Sequence, residues 1–431
     1  MHILIIHQAF ASLDEPGGTR HYEFARLLAS RGHQVTVIAS PVSYITGEKT
    51  PLAPAGHSPH FRRKWGEPEG GVRVLRASVY SAHHKSFFHR VLAFFSFMVS
   101  SFFIGLGVKN VDVVWGTSPP IFQGVTAWML ARLKGAKFLF EVRDLWPKFA
   151  IAIGVLTSPT LIRMSEWLER FLYKRADRIM VNSPGFLNHV TAVLSVSRSK
   201  DGLARVILVP NGADPSMFDP ADTGADFRRA HGLENKFVAL YAGAHGMSND
   251  LGVVLDAAKI LREEVTVTLE VTVTSSARPI QIVLLGDGKE KPVLQARAKE
   301  LGLTNVTFVD SVPKSEMPSA LAAADACIAI LKPLKEYKTT YPNKVFDYMA
   351  AGRPVVLAID GVIREVVEAA GCGLFAAPGD PSALAGAIRT LAADEVKSRQ
   401  MGLAGRKYLE EHFSRAVIGE KLVTLLEDMT N

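Results

Sequence analysis

The residues best placed for chemistry lie in Pro342-Asn343-Lys344-Val345-Phe346-Asp347-Tyr348-Met349-Ala350-Ala351-Gly352-Arg353-Pro354-Val355-Val356. Proline suits a helix start, where its missing N–H costs nothing. Asn343 and Lys344 then sit at the helix mouth, and Asp347 lies within about two turns of it, in a region that favours anions. Ala350, Ala351 and Gly352 let the helix pack closely and stop before a buried strand. A helix mouth that holds phosphate, beside a carboxylate that accepts from sugar hydroxyls, suits a nucleotide-sugar. The same residues also fit an ordinary αβ unit of a parallel sheet.

Four further loops carry candidate ligand groups. Gly17-Gly18-Thr19-Arg20 follows the first strand and opens a helix, so its backbone can approach a phosphate. It is not G-x-G-x-x-G, and no dinucleotide fingerprint is present. Glu141-Val142-Arg143-Asp144-Leu145-Trp146-Pro147 ends a strand. Strand ends of a parallel sheet face the ligand crevice, which places Arg143 and Asp144 well; a strand-end ion pair is the plainer alternative. Gly243-Ala244-His245-Gly246 offers backbone amides and a neutral imidazole donor. Gly286-Asp287-Gly288-Lys289-Glu290-Lys291 offers Lys289 and Lys291, which also read as surface lysines.

The helix motif resembles the donor-site signature of family-4 glycosyltransferases with the GT-B fold, E-x7-E followed by A-x-G-x-P-V. In that family the second acid holds the nucleotide ribose and the first reaches the donor sugar. Asp347 takes the second position, while the first falls on Thr339, with Glu336 nearby but out of register. The loop at Gly243 also departs from the family, because Ala244 and His245 replace its usual arginine and no lysine follows before Lys259. Pro210-Asn211-Gly212-Ala213-Asp214-Pro215-Ser216-Met217-Phe218 is similar to the family's segment leading to the interdomain connection. The phrase from Glu141 to Pro147, with Gly116-Thr117-Ser118-Pro119-Pro120, resembles a branch that adds sugars to polyprenyl-diphosphate carriers, the WbuB-like fucosaminyltransferases among them.

Elements that would position these groups alternate short β-like runs with helical stretches, twice over, which predicts parallel sheets and an α/β fold. Strands are expected at Ile3–Ile6, Val35–Ile38, Val72–Arg76, Val111–Trp115, Lys137–Val142, Arg178–Val181 and Val206–Val209. A second set is expected at Phe237–Ala242, Ile280–Leu285, Val306–Val309, Ala326–Leu331 and Pro354–Ile359. Val265–Thr274 alternates with period two and reads as an added strand or extended insertion. Ser40–Gly71 reads as a long loop. The resemblance implies GT-B, two Rossmann-like domains with parallel sheets facing a central cleft. We place an acceptor domain at 1–218, a donor domain at 219–412 and a final helical segment at 413–431 that crosses back to the first domain.

Composition bounds the partners. The 431 residues suffice for two or three domains. Forty-nine Lys and Arg against 42 Asp and Glu give +7, a balance that suits nucleic acid, an anionic membrane or phosphate-bearing substrates. No nucleic-acid-binding motif accompanies the charge, so nucleic acid is set aside. Two cysteines, Cys327 and Cys372, exclude a disulfide scaffold. Met1–Ile6 is too short and uncharged for a signal peptide, which predicts a cytoplasmic protein. Walker A, H-E-x-x-H, paired C-x-x-C, G-x-S-x-G and D-x-D are absent, so no metal or cofactor is expected.

Val91–Val108 runs without a charge and just reaches the roughly 17–25 residues of a spanning helix. A span would cut the first sheet in two, which leaves a helix buried in the domain or one with a face in the membrane interface. For the second case, Lys85, Arg90, Phe94, Phe95 and Phe97 are the expected contacts, on the anionic inner face of the cell membrane.

The resemblance then implies a retaining, metal-independent transfer from a nucleotide diphosphate-sugar, a UDP-sugar in the first instance, to a polyprenyl-diphosphate-linked saccharide. Gly17, Gly18, Gly243, His245, Gly246, Lys289, Lys291, Asn343, Lys344 and Asp347 would serve the donor. Asp144 would orient the acceptor hydroxyl, with Arg143 near the acceptor diphosphate. A nucleotide-sugar epimerase and a non-catalytic membrane-bound partner of an assembly complex are the alternatives. The first needs an acid/base pair that the sequence does not reveal.

Overall fold

The computed structural model describes residues 1–15, 17–42, 71–80, 87–195, 205–271 and 278–430. The chain divides into two compact units, Met1–Pro210 with Ile418–Asn431, and Asn211–Val417.

Among the described residues, the first unit holds a seven-stranded sheet in the order β3-β2-β1-β4-β5-β6-β7. Its strands are β1 (His2–Ile6), β2 (Gln34–Ala39), β3 (Val72–Arg76), β4 (Val113–Ser118), β5 (Lys137–Val142), β6 (Arg178–Val181) and β7 (Val206–Leu208). All adjacent strands are parallel. The helices between them are α1 (Arg20–Ser30), α2 (Phe87–Leu106), α3 (Phe122–Lys134), α4 (Lys148–Ala152), α5 (Pro159–Arg175) and α6 (Pro184–Ser195). Parallel crossovers are right-handed, so the strand order decides which face each helix covers. The step from β1 to β2 puts α1 on one face. Steps in the opposite direction put α2, α3, α5 and α6 on the other, where Phe97, Leu130 and Leu172 pack against Ile6, Val114 and Phe140.

Among its described residues, the second unit repeats the plan in six strands, in the order β10-β9-β8-β11-β12-β13. They are β8 (Phe237–Ala242), β9 (Ile280–Leu285), β10 (Val306–Val309), β11 (Ala326–Ile330), β12 (Val355–Ala358) and β13 (Gly373–Phe375). Its helices are α7 (Ala225–Ala230), α8 (Leu251–Val271), α9 (Lys291–Glu300), α10 (Met317–Ala322), α11 (Asn343–Ala350), α12 (Val362–Ala369), α13 (Pro381–Ala393) and α14 (Glu395–His412). Alternation along β8 feeds two separate cores: Phe237, Ala239 and Tyr241 join Leu251, Val254 and Leu255, while Val238, Leu240 and Ala242 join Phe346 and Met349. The switch in winding direction falls between β8 and β11, as it falls between β1 and β4 in the first unit. Loops diverge at such a point and leave a crevice at the strand carboxyl ends. Most of the last helix, α15 (Arg415–Thr430), belongs to the first unit, where Gly419 lies directly against the Leu27 side chain of α1.

Two expectations need correction, and one strand was not anticipated. Val265–Val271 continues α8 instead of forming a strand, and 272–277 lies outside the described residues. Leu251, Val254, Leu255, Ala258 and Leu261 bury at helical spacing, and that packing carries the helix into a β-branched run whose local preference is extended. Phe97 is 1 % exposed and packs in the core of the first unit, so it is not a membrane contact. The short β13 was not foreseen; its three residues give no periodicity to read, and pairing with β12 creates it. Val91–Leu106 belongs to α2, and among the described residues no helix is long and apolar enough to cross a membrane. Lys85, most of the Ser40–Gly71 loop and the Arg90 side chain lie outside the described residues.

Candidate active site

In the second unit the loops after β8, β9 and β10 and the start of α11 carry the candidate groups. The loop after β8 is locked against the loop after β9. His245 N donates to Asp287 O at 2.7 Å, Glu290 N donates to His245 O at 3.0 Å, and Gly243 N donates to Leu285 O at 3.0 Å. This close approach needs glycine at 286 and 288, whose positive φ and contact with the Gly243 and His245 carbonyls leave no space for a Cβ. Lys291 is spent holding this arrangement, its Nζ donating to Gly286 O at 2.9 Å and pairing with Asp310. Lys289 stands exposed beside it.

Lys344 behaves differently. Its buried Nζ has no hydrogen-bond partner and lies 3.8 Å from the centroid of the Tyr241 ring. A Cβ added at Gly243 would meet this nitrogen at 2.8 Å, so the amine sits directly against the loop after β8. Burial depresses Lys344 to about 7. His245 is fully buried with both ring nitrogens unpartnered, and burial, Lys291 and Lys344 lower it to about 4. The site therefore presents an ammonium and a neutral imidazole at a helix start, with no acid paired to either among the described residues. A buried cation of this kind is costly until an anion meets it. Asp347, one turn beyond Lys344, is held by Lys314 at 2.7 Å through Oδ1. Asn343 Nδ2 approaches its other oxygen at 3.4 Å. Thr339 and Glu336 lie in a 3-10 turn at Lys335–Thr339, with Glu336 buried.

In the first unit a buried polar cluster occupies the carboxyl ends of β1, β4 and β5. Strand register sets Thr117 beside Glu141, and alternation turns both toward α1. Glu141, fully buried, accepts from Arg20 Nε at 3.0 Å, His21 Nε2 at 2.5 Å and Trp115 Nε1 at 3.2 Å. Burial works against its charge, but His21, Arg20 and Arg143 outweigh it and hold the carboxyl well below the usual range. Burial lowers His21 to about 4, and His7 falls well below its ordinary value through burial, His21 and Arg143. Both imidazoles are thus neutral, and Arg143 NH1 donates to His7 Nε2 at 2.8 Å and to His21 Nδ1 at 3.4 Å. Glu141 therefore orients His21, and the two histidines orient Arg143. His7 Nδ1 and Thr117 Oγ1 are left buried without partners. Asp144, half-buried next in the chain, is raised to about 6 by burial, with Arg143 opposing. Gly17 and Gly18 are exposed, and Thr19 precedes α1 without a side-chain cap.

The family description "Glycosyl transferase 4-like domain" matches residues 17–242, more than half of the chain, and "Glycosyl transferases group 1" matches 236–394. The chain belongs to the family-4-like glycosyltransferases. The glycosyltransferase is a hexosyltransferase-type enzyme with the GT-B fold. It is 24 % identical over 348 residues to WcaI of Escherichia coli, named for colanic acid biosynthesis, a match covering 78 % of each chain. Sucrose-phosphate synthase from Thermosynechococcus elongatus superposes with a TM-score of 0.72 at 20 % identity, over 99 % of this chain and 98 % of that one. HepE of Anabaena, solved with UDP and glucose, superposes with a TM-score of 0.67 at 16 % identity, over 99 % and 100 %.

The structure gathers Gly243, His245, Lys291, Asn343, Lys344 and Asp347 of this glycosyltransferase at one end of the second sheet, and Arg143 at the matching end of the first. Lys314, Glu141, His7 and His21 were not singled out from the sequence. Lys314 lies further along the loop after β10 than Arg143 does after β5, so the strand-end rule marks its loop but not the residue. Glu141 was read only as part of a phrase, because its three donors come from α1 and β4 and no local spacing reveals them.

Proposed function

We propose that the enzyme transfers a sugar from a UDP-sugar to a polyprenyl-diphosphate-linked saccharide in surface polysaccharide synthesis, in the manner of the WbuB-like branch, at the inner face of the cell membrane. The observation that carries the reading is Lys344, a buried ammonium without a hydrogen-bond partner, set against Gly243 and one turn before Asp347. The spacing suits a nucleotide diphosphate, with the phosphates on Lys344, His245 and the mouth of α11 and the ribose hydroxyls on Asp347. Lys344 replaces the arginine and lysine that the loop after β8 lacks. HepE binding UDP, and the name of WcaI, support the donor and the pathway class.

On this reading the acceptor oxygen attacks the anomeric carbon from the face that the leaving group vacates. The carbon–oxygen bond to the diphosphate breaks as the new glycosidic bond forms, and the acceptor proton passes to the departing phosphate. Lys344 stabilises the charge that develops there. Asp144 orients the acceptor hydroxyl, and Arg143, fixed by His7 and His21, binds the acceptor diphosphate. The test is incubation of the purified enzyme with a panel of UDP-sugars and a lipid-diphosphate-saccharide, with and without a chelator. Transfer with retained anomeric configuration, unaffected by chelation, is expected. Transfer only from another nucleotide-sugar, or inversion, overturns the reading.

A further inference from the structure

Large apolar side chains exposed to solvent are concentrated on one layer of the first unit. The outer surface of α2 carries Phe95, Val99 and Phe103 at successive turns, with Phe103 61 % exposed. On α3, Met129 and Leu133 do the same, and on α5, Met164 and Trp167 are each 60 % exposed. The right-handed crossovers that put these helices side by side on one sheet face also point their outer surfaces the same way. The inner surfaces are already committed to the core through Phe97, Leu130 and Leu172. An apolar patch of this breadth is unusual on a protein that remains monomeric in water.

Charge distinguishes the occupants. The three helices carry seven lysines and arginines against two glutamates, and neither α2 nor α3 has an acid. Of the two glutamates, Glu169 is buried against Tyr173 and His189. A second copy of the chain would set like charges against each other. An anionic bilayer would pair with them, and Trp167, stacked on Phe171 and beside Arg163 and Arg170, has the amphipathic character of an interfacial anchor.

We propose that the α2–α3–α5 layer is a docking face for an anionic lipid bilayer, with Trp167, Leu133 and Phe103 entering the acyl boundary. The docking face rests on the membrane location proposed above, but bilayer binding requires neither donor nor acceptor, so its failure is distinguishable from failure of the transfer reaction. Each basic residue near an anionic surface strengthens binding about fivefold, and salt weakens that contribution.

The test is sedimentation of the full chain with vesicles of phosphatidylcholine alone or mixed with phosphatidylglycerol. Binding to the anionic vesicles at least about tenfold stronger than to neutral ones is expected, with partial release in high salt. The variant Phe103→Asp, Leu133→Asp, Trp167→Asp should lose binding with an unchanged thermal melt, and Val293→Asp, on an exposed position of the second unit, should keep it. Should the triple variant fail to fold, Trp167→Phe serves instead, since the blue shift of tryptophan emission on adding anionic vesicles should disappear with it. Equal binding by wild type and folded triple variant, no sedimentation with either vesicle, a blue shift that survives Trp167→Phe, or a dimer that the triple variant dissociates would each overturn the proposal.

Discussion

Lys314 Nζ lies 2.7 Å from Asp347 Oδ1, joining the loop after β10 to the second turn of α11. Both side chains are largely buried, at 8 % and 16 % exposure. The pair fixes one carboxylate oxygen and leaves Oδ2 only a long contact from Asn343, at 3.4 Å. An acid presented this way has an oxygen to offer ribose hydroxyls without reorienting.

Asp347→Asn and Lys314→Met should therefore each weaken UDP binding about tenfold or more, since a hydrogen bond to a charged group contributes roughly 1.5–3 kcal/mol. They act on one contact, so the double variant should lose much less than the product of the two. Calorimetric titration of UDP into all four proteins checks this, and multiplicative losses would assign the residues separate roles.

Lys344 makes nucleotide affinity depend on pH. Its ammonium is depressed to about 7 by burial, against the Tyr241 ring and close enough to His245 to lower that imidazole too. Below pH 7 the free enzyme already carries the charge that a diphosphate needs. Above it, binding must take up a proton, so affinity should fall as pH rises from about 7 to 9. The folded state binds fewer protons here than the unfolded chain, so the stability penalty of this group is present below about 7 and relieved as pH rises. Lys344→Met should weaken UDP binding, flatten its pH profile and leave the thermal melt at neutral pH no lower. A profile unchanged by the substitution would refute the assignment.

Asp144 predicts an acid limb in turnover. Burial raises it to about 6, so it is increasingly protonated below that pH and the rate of transfer should decline there. Asp144→Asn should abolish transfer while UDP affinity stays within about twofold, because a factor of two is only ~0.4 kcal/mol. A matched loss of nucleotide binding would make the residue structural.

Removing Glu141 should cost more than removing any single donor to it. Glu141→Ala leaves Arg20, His21 and Trp115 buried without this acceptor, and breaking a buried charge cluster costs about 3–5 kcal/mol. Phe97→Ala, in the core, should cost a similar ~3–5 kcal/mol. Exposed Phe95→Ser should change stability little, by about 0.5 kcal/mol or less. Denaturant unfolding of the three variants distinguishes these outcomes.

Most of the fold and half of the candidate site were legible in the sequence, for a shared physical reason. Strands such as Val72–Arg76, Lys137–Val142, Phe237–Ala242 and Ile280–Leu285 are buried apolar runs with turn signals on both sides, and they fold where they are read. Asn343, Lys344 and Asp347 lie on one helix, so spacing alone brings them together. Tertiary structure decided what spacing does not record. Burial left Lys344 without a hydrogen-bond partner, and a distant loop brought Lys314 to Asp347. Arg20 and Glu141, 121 residues apart, meet only because α1 crosses the strand ends of β5. Val265–Val271 became helix because the residues before it bury at helical spacing, and packing outweighs the local preference of β-branched residues. Phe97 and Phe95, two residues apart on α2, went to core and to solvent because a helix turns about 200° between them.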